Sequence, residues 1–146
     1  MTLLDPAVTR PDSVSELSEV QCRELLSVAT VARIGFVSPD GLQIIPLSCR
    51  FSDGVLYLRT RPGSQLDQLA EAGRSVTFEV DYHGPDFGLA WSVLMQGQLE
   101  RLDAAGRRLM AALPVAVRPW PGEDCTRGLR FLPRSYTGRR VMPATS

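Results

Sequence analysis

The spacing of hydrophobic and polar residues changes several times along the chain, and each change marks a predicted element. Between residues 18 and 28 the apolar positions follow helical spacing, and Ser18 with Gln21 forms a capping-box pattern at the start. From residue 30 the chain is rich in β-branched and aromatic residues, as in strands. Three strands are predicted in this part, over 30–37, 42–51 and 55–60.

Turn residues separate these strands and start the next element. Asp40-Gly41 and Asp53-Gly54 stand at hairpin spacing, so the first three strands are predicted to form an antiparallel meander. Pro62-Gly63 then interrupts the pattern, and Ser64 caps a helix that Gly73 ends. The remaining predicted elements are strands over 75–82 and 90–100, with a bulge at Gly97, a helix over 104–113 and a last strand over 128–141.

The predicted elements define a mainly β (α+β) fold: six antiparallel strands in a closed or nearly closed barrel with short flanking helices. A length of 146 residues suits one domain, which we place at 18–142. Residues 1–17 lack periodicity and are predicted to be a flexible N-terminal arm, and 143–146 a frayed C-terminus. The Pro-rich stretch 114–124 is predicted to be an irregular connection, with Trp120 in a packing role.

Composition narrows the function classes. Apolar residues make up 44% of the chain and charged residues 22%, which is ordinary globular usage. The three cysteines (Cys22, Cys49, Cys125) are far apart and His83 is the only histidine, so neither a zinc site nor a hydrolytic triad is expected. With no signal-peptide pattern and no apolar run of membrane length, we expect a cytoplasmic protein that does not enter a membrane.

Net charge is zero, and all 16 basic residues are arginine. An anion must therefore be held by guanidinium groups, hydroxyls or backbone N–H groups. The strongest candidate is the stretch from Leu58 to Ser64, where a strand end leads through a glycine turn into a capped helix. Arg59, Thr60, Arg61 and Ser64 could surround a phosphate there. The same spacing also fits a simple turn followed by an N-cap.

Other polar clusters admit two interpretations each. Trp91-Ser92 could lie beside a flat ring or could pack in the core. Glu79 and Asp81 share one face of a strand, which favours a solvated edge. The arginines between Arg130 and Arg140 could bind nucleic acid, but they alternate with apolar residues like one strand face, so nucleic-acid binding is not expected.

Five motifs in one order resemble the flavin-binding split-barrel family, the pyridoxamine 5′-phosphate oxidase-like proteins. The motifs are the strand Val31–Phe36, the loop Arg59–Gln65, Phe78-Glu79-Val80-Asp81, the strand Trp91–Gly97 and Thr137-Gly138-Arg139-Arg140. No single motif is specific for the family, but the five motifs in this order over nearly the whole chain are. The resemblance implies a split β-barrel that forms a homodimer, with the cofactor at the subunit interface.

The resemblance also implies roles for single residues. Pro46, Leu47 and Ser48 would line the isoalloxazine ring of the flavin, largely through their backbone. Thr60 and Ser64 would hold its phosphate. Trp91 and Ser92 would come from near the ring, and Arg139 from a late strand close to the site.

Gln65 departs from the family pattern, because many relatives have lysine after Gly-Ser. A lost charge-assisted contact could weaken phosphate binding by about 1.5–3 kcal/mol, and Arg61 is close enough in sequence to compensate. The sequence thus predicts an FMN-binding oxidoreductase for a small organic substrate, with no assigned catalytic residue and no metal. Two alternatives stay open: a reductase that uses a deazaflavin coenzyme (F-420), and a non-enzymatic split-barrel binding protein that has lost firm cofactor affinity.

Overall fold

The computed structural model describes residues 13–85, 89–121 and 124–142, and these contain seven strands and three helices. The strands are β1 (Ser13–Leu17), β2 (Val31–Ser38), β3 (Gly41–Ser52), β4 (Val55–Thr60), β5 (Ser75–His83), β6 (Ala90–Arg101) and β7 (Arg127–Met142). The helices are α1 (Glu19–Leu26), α2 (Gln65–Glu71) and α3 (Ala104–Ala111). Residues 1–12 of the predicted arm and 143–146 of the predicted frayed end lie outside the described residues.

Six of the strands close into a ring through antiparallel pairings. Their order is β7-β4-β3-β2-β5-β6, and β6 pairs again with β7. The 16 residues of β7 make this closure possible, because its first residues pair with β4 while almost its whole length pairs with β6. The predicted antiparallel barrel with short flanking helices is confirmed.

The strand β1 is the main difference from the predicted fold. Residues 13–17, which the sequence places in a flexible arm, pair with the far end of β7 from Ser13–Met142 to Leu17–Gly138. Most of these side chains are exposed, so the strand is held by backbone pairing rather than by a buried face. The sheet therefore has seven strands, of which six form the ring.

Local turn chemistry produces the predicted meander. Asp53 and Gly54 both have positive φ, 49° and 79°, which is the type I′ geometry that matches the twist of a hairpin. The predicted bulge is also present, because the register between β6 and β7 shifts between Gln96 and Gly97. Ser18 caps α1 through the predicted capping box with Gln21.

Two hydrophobic clusters stabilise the barrel. The main cluster fills the ring, where the rings of Phe78 and Phe131 meet with centroids 4.6 Å apart. A smaller cluster of Tyr57, Leu102, Met110 and Val117 fastens α3 and the following segment to the outside of β4. Within the described ranges no helix has the length and apolar character needed to cross a membrane.

Candidate functional site

A cavity of about 510 Å³ lies where β3, the end of β4 and the segment before β7 meet. Its volume is in the range of pockets that hold small organic ligands and cofactors. One wall comes from β3, and a second wall comes from the end of β4, the following turn and the start of α2. Together these two walls contain Pro46, Leu47, Ser48, Arg59, Thr60, Arg61, Ser64 and Gln65. Eight of the residues predicted from sequence to bind a cofactor are therefore brought to one cavity.

The loop between β4 and α2 is a type II turn. Ser64 donates its backbone N–H to the carbonyl oxygen of Arg61 at 3.1 Å, and Gly63 has φ +81° at the third turn position. A Cβ added to Gly63 would have no atom within 4 Å, so the backbone at this point faces open space. The turn thus presents bare backbone to the cavity that it lines.

Two hydroxyl groups of this loop share one hydrogen bond. Thr60 Oγ1 and Ser64 Oγ lie 2.7 Å apart, and Ser64 Oγ also accepts from the backbone N–H of Asp67 at 3.2 Å. Each hydroxyl has one hydrogen, and the pair uses only one of them between its oxygens. Whichever group donates, the other keeps a hydrogen that it can offer to an acceptor in the cavity.

A buried carboxylate fixes the loop from beneath. Asp67 is 1% exposed; its Oδ2 accepts from the Gly63 N–H at 2.8 Å and its Oδ1 from Arg101 Nε at 2.8 Å. Burial alone would raise the pKa of Asp67, but the Gly63 N–H and the charges of Arg101 and Arg127 together hold that pKa below its ordinary value of 3.8. Asp67 is ionised at neutral pH and positions the turn.

Part of the backbone of this loop is already hydrogen-bonded. The N–H groups of Gly63, Ser64 and Asp67 each donate within the loop. These three amides are therefore occupied, and the side chains of Arg59, Thr60, Arg61 and Ser64 are the donors on which an anion in this cavity can draw.

Arg59 supplies the clearest sign of a missing partner. Its Nε is buried and has no hydrogen-bond acceptor among the described residues. Four other buried side-chain atoms share this property, in Arg50, Arg127, Tyr136 and Arg140, but only Arg59 lines the cavity. A buried donor without an acceptor costs about 1–3 kcal/mol, so an acceptor is expected at this position. Arg61 and Gln65 line the same cavity with exposed side chains.

Replacing Asp67 with asparagine tests the anchoring role. The Asp67→Asn variant keeps an acceptor for Gly63 but loses the charge that faces Arg101, so we expect its free energy of unfolding to fall by about 2 kcal/mol at pH 7. Because the folded-state pKa is lowered, the contribution of Asp67 is present above about pH 4 and disappears as the pH falls through that folded value. Urea unfolding from pH 7 to pH 3 should therefore show the two proteins converging in acid. A constant difference in unfolding free energy between the two proteins across that range would contradict the role of the ionised Asp67 carboxylate.

The remaining predicted residues lie elsewhere in the single chain. Ser92 on β6 pairs with Arg139 on β7, and neither lines the cavity. Trp91 is partly buried and packs against the main hydrophobic cluster. Their predicted role would require a second copy of the chain.

The other tryptophan departs from its predicted packing role. Trp120 is 48% exposed and lines the cavity together with Val117, Pro119 and Cys125 from the same segment. The sequence gives little signal for this placement, because the Pro-rich stretch has no periodicity. This third wall of the cavity is the part of the site that sequence analysis missed.

An acidic pair on the outer face of the barrel forms a second polar cluster. Arg33 Nη1 on β2 lies 3.0 Å from Glu79 Oε1 and 2.8 Å from Asp81 Oδ2, both on β5. Burial and the neighbouring Asp81 carboxylate raise the pKa of Glu79 to about 7, whereas the hydrogen bond with Glu79 lowers the pKa of Asp81. Glu79 and Asp81, predicted to form a solvated strand edge, are therefore joined to Arg33 in one hydrogen-bonded group.

Glu79 should make stability depend on pH near neutrality. Its folded-state pKa of about 7 lies above the ordinary 4.5, so its contribution is complete below that ordinary value and is lost as the pH rises through 7. We expect the unfolding free energy of the wild type to fall relative to Glu79→Gln between about pH 5 and about pH 8. The exposed Glu24→Gln change is the matched control. If the unfolding free energies of all three proteins depend on pH in the same way, the raised pKa of Glu79 is contradicted.

The closed antiparallel ring with its short flanking helices defines a split-barrel protein. The family model of pyridoxamine 5′-phosphate oxidase matches residues 18–140, and the chain belongs to that family. Comparison with curated protein sequences yields no match.

Solved structures share the fold. A candidate pyridoxamine 5′-phosphate oxidase from Corynebacterium glutamicum is 25% identical, with a TM-score of 0.70, 90% of this chain and 96% of that chain covered. An FAD-binding protein from Mycobacterium smegmatis is 25% identical, with a TM-score of 0.65 and coverage of 88% and 98%. An FAD-binding protein from Mesorhizobium loti is 24% identical, with a TM-score of 0.71 and coverage of 89% and 98%, and supports the fold.

Proposed function

We propose that this protein is a flavin-dependent oxidoreductase that binds a flavin nucleotide in the cavity and acts on a small organic substrate. The observation that carries the proposal is the buried, unpartnered Nε of Arg59 in the cavity wall. A phosphate oxygen is a suitable acceptor for it, because guanidinium–phosphate hydrogen bonds are charge-assisted.

The loop residues fit a phosphate group in number and kind. Arg59 offers a guanidinium, and the Thr60–Ser64 pair offers one hydroxyl hydrogen. Arg61 provides a second positive charge on the cavity wall, although Gln65 provides none. Both the terminal phosphate of FMN and the diphosphate of FAD match this donor set.

The wall from β3 suits the flat ring of a flavin. Pro46 presents apolar surface, Ser48 and the strand backbone present polar groups, and the side chain of Leu47 between them is anchored in the main hydrophobic cluster. A bound flavin supplies the transfer of an electron pair, chemistry that the side chains of this chain do not perform. The protein's own part is to hold the phosphate, orient the ring and keep water from one of its faces.

A second copy of the chain would complete the site. Near its turn the β2–β3 hairpin exposes the large apolar side chains of Val37, Leu42 and Ile44, and apolar surface of this kind favours association. In a homodimer built on the outer face of the barrel, Ser92 and Arg139 of one protomer could approach the cavity of its partner. The family resemblance supports this arrangement.

The similar structures bear on the identity of the nucleotide. The sequence predicts FMN, whereas the related proteins from Mycobacterium smegmatis and Mesorhizobium loti bind FAD. A deazaflavin coenzyme remains the nearest alternative, since it also joins a flat ring system to a phosphate.

Titration of the purified protein tests the proposal. Absorbance and fluorescence would be followed while FMN, FAD and a deazaflavin coenzyme are each added to cofactor-free protein. We expect one flavin to bind per chain at micromolar concentration, with a shift of its visible absorption band. If none of the three binds, the flavin proposal fails and the non-enzymatic interpretation of the chain replaces it.

A further inference from the structure

Beside the loop of residues 61–64, here called the phosphate loop, the cavity has a further wall formed by Val117, Pro119 and Trp120. In the sheet, β4 lies between β3 and β7, because Leu58 pairs with Cys49 on one side and Thr60 pairs with Arg127 on the other. The loop that leaves β4 is therefore flanked by β3 on one side and by the segment that leads into β7 on the other. The proposed ring wall and the Trp120 wall lie on opposite sides of the phosphate loop.

The position of Trp120 is set by its neighbours in the chain. Val117, three residues earlier, is buried with Tyr57, Leu102 and Met110, so the segment is fastened to the outside of β4. Trp120 itself remains 48% exposed and forms part of the cavity wall. The indole thus offers an aromatic surface to whatever occupies the cavity.

We propose that Trp120 stacks on the adenine ring of FAD, so that the cavity selects a flavin dinucleotide over FMN. This inference rests on the proposed function, since it assumes that the loop holds flavin phosphate. The order of the walls matches the order of groups in FAD: isoalloxazine along β3, diphosphate at Arg59 and Ser64, adenine on Trp120. Stacking of a base on an aromatic side chain contributes about 1–3 kcal/mol.

Replacing Trp120 with alanine separates the two nucleotides. We expect Trp120→Ala to weaken FAD binding about 5- to 150-fold and to leave FMN binding unchanged within about twofold. Trp120→Phe keeps an aromatic ring and should stay close to the wild type. Val115→Ala, an exposed change in the same segment outside the cavity wall, is the matched control.

ADP provides an independent readout, because it has the adenine and the diphosphate without the isoalloxazine ring. It should displace FAD from the wild-type protein and should bind Trp120→Ala more weakly by the same factor as FAD. All affinities would be measured by equilibrium titration, with thermal melting and sedimentation as checks on folding and assembly.

The outcomes distinguish this inference from the proposed function. If FMN and FAD bind the wild type equally, or if Trp120→Ala weakens both alike or neither, the dinucleotide assignment is wrong while flavin binding stands. Loss of assembly in Trp120→Ala with a parallel loss of both flavins would likewise overturn it and place Trp120 at a subunit contact. If no flavin binds the wild type, the proposed function fails and the assignment fails with it.

Discussion

Replacing Arg59 and Ser64 together with alanine is expected to weaken flavin binding about a hundredfold while the barrel stays folded. Arg59 Nε is the buried donor that lacks an acceptor, and a hydrogen bond from a charged group contributes about 1.5–3 kcal/mol. Removing Ser64 takes away one hydroxyl of the Thr60–Ser64 pair, and with it either a direct donor or the acceptor that orients Thr60, at about 1 kcal/mol. The sum is about 3 kcal/mol, which corresponds to the expected change in the dissociation constant.

The double variant needs two controls. Ser64 also caps α2 through the Asp67 N–H, so alanine there costs about 1 kcal/mol of folding stability, which a urea titration would measure. Arg74→Ala removes an equal charge from an exposed position that does not line the cavity. An unchanged dissociation constant in the double variant, or an equal loss in Arg74→Ala, would show that the phosphate is held elsewhere.

Substitution of Gly97 by alanine is expected to destabilise the barrel by about 3 kcal/mol or more. A Cβ at this buried bulge would overlap the carbonyl oxygen of Leu132 and would lie 2.9 Å from Pro133 Cα, both on β7. These are backbone atoms of the strand that closes the ring, so they cannot rotate away as a flexible side chain can. The two strands must separate locally to admit one methyl group.

Gly35 is the matched control for this prediction, because it is also a strand glycine. A Cβ there would meet only Thr77 O at 3.9 Å, which is ordinary contact, so Gly35→Ala should change the free energy of unfolding by less than about 1 kcal/mol. Chemical unfolding of both variants gives the comparison. Equal stability of the two would mean that β6 and β7 do not approach as closely at the bulge as described.

The features that sequence predicted correctly depend on local chemistry. The hairpin at Asp53-Gly54 needs two residues that tolerate positive φ. The turn at Pro62-Gly63 needs a residue with negative φ, which the proline ring fixes, followed by a glycine that can adopt positive φ. Such requirements are visible in a few neighbouring residues. The eight predicted residues that share the cavity belong to β3, to the end of β4 or to the turn and first helical residue that follow it, and adjacent strands of a predicted meander bring these together.

The features that sequence missed depend on contacts between distant parts of the chain. The strand β1 buries little, so its formation depends on the free edge of β7 more than 100 residues later. In the sequence Asp67 is an ordinary polar residue of a helix, and its anchoring role depends on the ion pairs with the distant residues Arg101 and Arg127. Trp120 reaches the cavity because Val117 packs on the outside of β4, and the Pro-rich segment has no periodic pattern that would predict that contact.

A crystal structure of the protein with its bound flavin tests the central claim most directly. We expect a flavin phosphate oxygen within hydrogen-bonding distance of Arg59 Nε and of the hydroxyl pair formed by Thr60 and Ser64. We also expect the isoalloxazine ring along Pro46, Leu47 and Ser48. A flavin bound outside this cavity, or a phosphate that leaves Arg59 Nε without an acceptor, would contradict the account.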